Sequence, residues 1–168
     1  MFQLTHTTSR NLENKVVITF AHDARQLSEF ATEIDGQIQG GFTPALGHSR
    51  FTGAESQTRY IDTYGRGGPE GVLLVGAGKL DKMTEDSFRR MGIEAGKKLH
   101  EMGIPEAVLM SETLGEWPEE TGMLAFVEGL ALGAYQFHDY RTNLADNEKT
   151  KFDKLTVVSG IPAMGEAL

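Results

Sequence analysis

The chain has 168 residues, the usual length of one domain, and a chain of this length buries enough surface to fold without disulfides or metals. It contains no cysteine, which excludes a disulfide framework, a thiolate metal site and a cysteine nucleophile. Lys and Arg number 16 against 24 Asp and Glu, and the resulting charge of −8 disfavours binding to nucleic acids and to anionic membranes.

A strand and a helix are predicted after a polar N-terminal segment, which lacks the apolar run of a signal peptide. The β-branched run Lys15-Val-Val-Ile-Thr-Phe20 predicts the strand. Asp23 is expected to cap a helix over residues 24–34, where apolar residues recur at helical spacing. Gly36 is expected to end this helix, because glycine tolerates the left-handed conformation that often follows a helix.

The next segment, from Gly36 to Gly71, is rich in Gly, Thr, Ser and Gln and predicts strands and loops at a sheet edge. Residues 59–64 have strand character within it, and residues 65–69 form a turn. Gly71-Val-Leu-Leu-Val75 then forms an unbroken apolar run. Such a run is typical of a strand that is buried on both faces, as in parallel sheets.

The clearest helix in the sequence follows Thr84, a good N-cap residue. Glu85 and Asp86 occupy its first turn, where the helix dipole favours negative charge. Its apolar side chains recur every three or four residues, at Phe88, Met91, Ala95, Leu99 and Met102. Gly103 and Pro105 are expected to end it.

A strand at residues 106–110, a helix from Pro118 to about residue 137 and a strand at residues 155–158 complete the predicted order. Small residues one turn apart, such as Gly129 and Gly133, let that last helix lie close against a sheet or another helix. Its one internal charge, Glu128, is expected to face solvent. The alternation of strands and helices predicts an α/β fold with three layers, α/β/α, and a mixed, mostly parallel sheet.

The most apolar stretch, residues 123–137, is 15 residues long and therefore shorter than the roughly 20 residues that cross a bilayer. It predicts a buried helix, and the protein is expected to be soluble and cytoplasmic.

One turn could bind a ligand, because Gly76-Ala-Gly78-Lys79 follows a buried strand. Its backbone N–H groups could approach an anion that Lys79 neutralises. The dinucleotide fingerprint, however, needs a glycine where Asp81 stands, and a P-loop needs Ser or Thr where Leu80 stands. A structural turn is therefore favoured over an anion site.

No catalytic or metal-binding residue is nominated by the sequence. The histidines do not show metal-ligand spacing; they stand at positions 6, 22, 48, 100 and 138. The acidic residues Glu112, Glu116, Glu119 and Glu120 surround the start of the last helix, where solvated carboxylates are expected from the dipole alone.

Three segments, in order, resemble the N-terminal domain of leucyl (cytosol) aminopeptidases. They are Val72–Lys79, then Thr84–Gly92 with Ala95–Lys98, and finally Phe126–Tyr135 with Phe137–Arg141. The third is the most specific, because it is similar to the family's Glu-Gly-x-x-Leu-Gly-x-Tyr helix. The resemblance implies a macro-domain-like fold over residues 1–160, with residues 161–168 as a linker or severed connection to a missing C-terminal catalytic domain.

In that family the catalytic domain removes N-terminal residues from peptides with two divalent metals, zinc or manganese. Its signature Asn-Thr-Asp-Ala-Glu-Gly-Arg does not occur in this sequence. The resemblance therefore implies a non-catalytic structural and assembly role for this chain. It also implies that the missing catalytic domain is a partner and that the full-length protein is a homohexamer.

Two alternatives remain open. A macro-domain-like module would bind ADP-ribose or another phosphate ligand, through Gly76, Gly78 and Lys79. DNA binding, which occurs in some bacterial members of the family, is opposed by the charge of −8.

Overall fold

A mixed sheet forms the middle layer of the fold. The computed structural model describes residues 2–9, 11–47, 49–64, 66, 68–139 and 152–158. At residues 43 and 136–139 it describes the backbone only. The strands are β1 (Gln3–Thr7), β2 (Val16–His22), β3 (Gln26–Leu27), β4 (Thr58–Asp62), β5 (Gly71–Gly76), β6 (Glu106–Met110) and β7 (Lys154–Val158). The helices are α1 (Glu29–Gln37), α2 (Phe42–Gly47), α3 (Glu85–Glu101) and α4 (Glu119–Asp139). The predicted linker at 161–168 and His48 lie outside the described residues.

The strands lie in the order β1-β7-β6-β2-β5-β4, with β3 paired to β2. Neighbours from β1 to β5 in this order are parallel, whereas β4 and β3 run antiparallel to their partners. The sheet is thus mixed and mostly parallel, and the predicted fold class is confirmed. The edge position predicted for the segment around residues 59–64 corresponds to β4.

Helices cover both faces of the sheet. Alternate side chains of each central strand point to opposite faces, so each central strand contributes to two buried clusters. Ile18 and Phe20 of β2 join one buried cluster with side chains of α3 and α4. Val17 and Ala21 join a second buried cluster with side chains of α1 and α2. All residues of β5 are buried, as the unbroken apolar run predicts. The result is the predicted α/β/α arrangement of three layers.

Helix α3 forms where the sequence predicts it. The Thr84 side chain accepts a hydrogen bond from the Ser87 amide, and the Ser87 hydroxyl accepts one from the Thr84 amide. Gly103 follows the helix with φ of 69°. This left-handed conformation suits glycine and ends the helix cleanly.

Helix α1 begins later than the sequence predicts. Ala24 and Arg25 take φ of 62° and 59°, so the chain turns back and β3 pairs with β2 before the helix starts. Ser28, not Asp23, is the N-cap, and its hydroxyl accepts from the Ala31 amide. The predicted stop at Gly36 is also wrong, since the helix continues to Gln37.

Besides β3, strand β1 and helix α2 were not predicted from the sequence. Strand β1 is a polar run with little apolar alternation, and its pairing along the whole of β7 holds it in the sheet. Helix α2 lies in the Gly-rich segment that was predicted to hold only strands and loops. It buries Phe42 and Leu46 against the sheet.

Helices α3 and α4 lie in close contact along their glycines. A Cβ atom built on Gly129 would lie 2.0 Å from the Arg89 carbonyl oxygen, and one on Gly92 would lie 2.0 Å from the Phe126 carbonyl oxygen. Gly96 and Gly133 approach the partner helix in the same way. The close approach predicted for the small residues of α4 is therefore made to a helix.

Glu128 is exposed, as predicted, and it accepts a hydrogen bond of 3.1 Å from the Arg89 guanidinium on α3. Within the described ranges, none of the helices has both the length and the apolar character that a membrane crossing requires.

Candidate functional site

The Gly76–Lys79 turn lies at the carboxyl end of β5, against the loop of residues 51–57. Its backbone N–H groups donate to carbonyl oxygens of the protein. The Gly76, Ala77 and Gly78 amides donate over 2.7, 2.8 and 2.8 Å to carbonyls of residues 57, 21 and 53, respectively. The Lys79 side chain is exposed to solvent. These three amides, which the anion hypothesis would use, therefore already have acceptors.

Both glycines of this turn have a structural role. A Cβ atom on Gly76 would lie 2.0 Å from the Ala54 carbonyl oxygen, so only glycine lets the loop come this close. Gly78 takes φ of 70°, a conformation that side chains disfavour. Close packing thus accounts for Gly76 and backbone conformation for Gly78. An anion-binding role for these glycines and for Lys79 stays a prediction.

Glu112 follows β6 at the same edge of the sheet, and here the expectation of a solvated carboxylate is wrong. Its Oε2 accepts hydrogen bonds from the Thr19 hydroxyl at 2.8 Å and the Ser28 hydroxyl at 3.0 Å. Its Oε1 accepts one from the Phe30 amide at 2.9 Å. The side chain therefore binds to the amino end of α1 and not to that of α4. Its position directly after a buried strand was the one signal in the sequence.

The other acidic residues of this group behave differently from Glu112. Glu116 and Glu120 are exposed, as expected for solvated carboxylates. Glu119, in the first turn of α4, accepts a hydrogen bond from the Ser111 hydroxyl. The sequence grouped these four residues by proximity along the chain, whereas in the fold Glu112 is bound at the amino end of α1 and Glu116 and Glu120 are exposed.

Burial raises the pKa of Glu112 above its ordinary value of 4.5. Hydrogen bonds from Phe30, Thr19 and Ser28 act in the opposite direction, and the negative charge of Glu29 adds to the rise. Desolvation therefore outweighs the donors. Among the described residues, the groups that oppose the rise in this pKa are neutral hydrogen-bond donors.

An acidic cleft of about 220 Å³ opens beside this residue. It is lined by side chains of α1 and of the segment that joins β6 to α4, namely Glu29, Phe30, Glu33, Met110, Ser111, Glu112, Thr113 and Glu119. Four of the lining residues are glutamates, and this concentration of carboxyl groups repels phosphate ligands. Within the part of the chain that the structure covers, no group of three or more His, Asp or Glu side chains is arranged to hold a metal ion.

The raised pKa of Glu112 predicts a specific pH dependence of stability. The folded state binds this proton more tightly than the unfolded state does. Its stabilising effect is complete below the ordinary pKa of 4.5 and is lost as the pH rises through the raised value. The Glu112→Gln chain has no such proton. We therefore expect its free energy of unfolding, relative to the wild type, to increase across this window and then to level off.

Urea unfolding of both chains between about pH 4 and about pH 8 measures this difference. Glu116→Gln, at an exposed carboxylate nearby, is the control and should show no such change. A Glu112→Gln difference that is constant with pH would mean that burial does not perturb this carboxyl group.

Comparison with known proteins relates most of the chain to one family. The model described as "Cytosol aminopeptidase family, N-terminal domain" matches residues 16–144. A probable cytosol aminopeptidase of Persephonella marina is 30% identical over 139 residues, which cover 79% of this chain and 28% of that protein. One of Geotalea uraniireducens is 28% identical over 129 residues, which cover 77% of this chain and 26% of that protein. The chain thus spans about a quarter of the length of these relatives.

Solved structures share the fold. A mutant of tomato leucine aminopeptidase matches with a TM-score of 0.72 and 14% identity, over 95% of this chain and 32% of the other. The macrodomain of Mycobacterium tuberculosis DarG matches with a TM-score of 0.64 and 11% identity, over 95% of this chain and 100% of the other. At such identities the likeness concerns architecture alone.

Proposed function

Because the chain belongs to the N-terminal domain of the cytosol aminopeptidase family, we propose that it is the non-catalytic structural and assembly domain of a metal-dependent aminopeptidase. The observation that carries this proposal is the part of its relatives that the chain matches. The chain matches the N-terminal domain and only about a quarter of the relatives' length. Peptide hydrolysis would then belong to the remaining three quarters, in a catalytic domain that is the partner of this one.

The two divalent metals, zinc or manganese, would be bound by that catalytic domain. The carboxylates described here do not fit a metal pair. Both oxygens of Glu112 already accept hydrogen bonds from Thr19, Ser28 and the Phe30 amide, and Glu119 accepts one from Ser111. We therefore assign no step of the reaction to these residues.

The packing of the domain suits a rigid scaffold. Its sheet is covered on both faces, and α3 and α4 are in contact through their backbones. Such a body can hold a neighbouring domain in a fixed position and limit access to it. The complete protein would act in the cytoplasm as a homohexamer, in which this domain contributes to assembly.

A peptidase assay tests the proposal. The 168-residue chain, incubated with leucyl p-nitroanilide and Zn²⁺ or Mn²⁺, should release no p-nitroaniline above the rate in buffer. The full-length relative from Persephonella marina, assayed in parallel, is the positive control. Peptidase activity that co-elutes with the chain in gel filtration and is abolished by a chelator would refute a non-catalytic role.

The alternative, a module that binds ADP-ribose or another phosphate ligand through Gly76, Gly78 and Lys79, stays a prediction. Shared architecture with macrodomains supports it, whereas the acceptors already bound to the turn's amides and the acidic cleft oppose it. Calorimetric titration of the same preparation with ADP-ribose separates the two functions. Micromolar binding that is lost in Gly78→Val would favour the alternative.

A further inference from the structure

The topology of the sheet opens a crevice between β2 and β6. These strands are neighbours and parallel. Helix α1, which follows β2, lies on one face of the sheet, and α4, which follows β6, lies on the other. In open α/β sheets, ligands bind where successive helices diverge in this way, and anions favour the helix N-terminus at that place.

The crevice contains the Glu112 carboxylate. Its three donors come from different parts of the chain: the Thr19 hydroxyl from β2, the Ser28 hydroxyl from the N-cap of α1, and the Phe30 amide from the first turn of α1. We propose that Glu112 is an internal ligand, which fills the anion position between β2, β6 and α1 and thereby closes the crevice to external anions.

The chemistry of the donors supports this assignment. Two hydroxyls and one helix-terminal amide form the kind of set that binds a free carboxylate or phosphate oxygen. The positive end of the α1 dipole adds a favourable field at the same place.

The surroundings also explain why the ligand is internal. An external anion would have to cross the acidic cleft, whose walls carry Glu29, Glu33 and Glu119. A carboxylate that is attached to β6 avoids this repulsion and loses no translational freedom on binding. Glu112 thus also joins the end of β6 to α1. This inference does not depend on the proposed aminopeptidase role.

Chemical rescue tests the proposal. In the Glu112→Ala chain, the three donors lose their acceptor and a space of carboxylate size opens. We expect sodium formate to raise the ratio of folded to unfolded protein by the factor 1 + [formate]/Kd, about tenfold at nine times the Kd. Thermal unfolding with formate, against sodium chloride at equal ionic strength, measures this rise. Glu29→Ala removes a charge from the same cleft but leaves Glu112 on its donors, and it is the matched control.

Formate-specific stabilisation of Glu112→Ala, with none in the wild type or in Glu29→Ala, is the expected result. A folded Glu112→Ala chain that does not respond to formate would overturn the proposal, and so would an equal response of the wild type.

If Glu112→Ala does not fold in any of these solutions, a double-mutant cycle of Thr19→Val and Glu112→Gln decides. We expect Thr19→Val to lower the ratio of folded to unfolded protein about tenfold in the wild type and much less in Glu112→Gln. The reason is that a charged acceptor strengthens the hydrogen bond from the Thr19 hydroxyl. Equal effects in both backgrounds would contradict an ionic internal ligand.

Discussion

Replacing Gly129 by alanine is expected to lower the free energy of unfolding by about 2–3 kcal/mol, although alanine is the better helix former. The added Cβ would lie 2.0 Å from the Arg89 carbonyl oxygen and 2.8 Å from the adjoining carbonyl carbon. Both atoms belong to the backbone of α3, so no side-chain rotation relieves the overlap. The two helices must separate, and the side chains that they bury together lose contact.

Gly36→Ala is the matched control for this prediction. Gly36 also lies in a helix, but a Cβ atom there would have no neighbour within 4 Å. The change should be neutral or stabilising by up to about 1 kcal/mol, since alanine restricts the unfolded chain. Urea unfolding of the three proteins gives the comparison. Equal stability of the two variants would mean that α3 and α4 are not in backbone contact.

The second large effect is expected from Leu130→Asp, which should cost about 3 kcal/mol or more and lead to a largely unfolded chain. Leu130 is 0% exposed, in the cluster between α4 and the sheet. The introduced carboxylate would either be buried without a partner or force the helix away from the sheet.

Leu132→Asp makes the same substitution two residues further along α4, where the side chain is 45% exposed. It should cost about 1 kcal/mol or less, mostly through the lower helix propensity of aspartate. Thermal unfolding and circular dichroism distinguish the two chains. If Leu132→Asp were the more damaging, the faces of α4 would be assigned wrongly.

The fold by itself does not decide between the two functions considered for this chain. Tomato leucine aminopeptidase and the DarG macrodomain share its architecture at 14% and 11% identity. The local chemistry at the carboxyl edge of the sheet in this chain bears on the choice between the two functions. Here that edge presents an acidic cleft and amides already bound to carbonyls, and these features favour a scaffold over a phosphate-binding module.

Local interactions account for the elements that were predicted correctly. The cap and stop signals of α3 act within a few residues, and the apolar run of β5 reflects burial on both faces. The start of α1 was predicted wrongly because apolar spacing alone does not show the reversal at Ala24 and Arg25. A polar strand such as β1 gives no periodic signal, and its pairing with β7 lies about 150 residues away in sequence.

The sequence by itself determined the three-layer α/β class, the boundaries of its most regular helix and the family to which the chain belongs. Only the tertiary structure decided the hydrogen-bond partners of Glu112, whose two hydroxyl donors lie 93 and 84 residues away in sequence. It also decided that Gly129 packs against α3. Propensity and capping depend on neighbours along the chain, so sequence patterns record them. The acceptor of a distant hydroxyl is chosen by packing, which brings together residues that no local pattern connects.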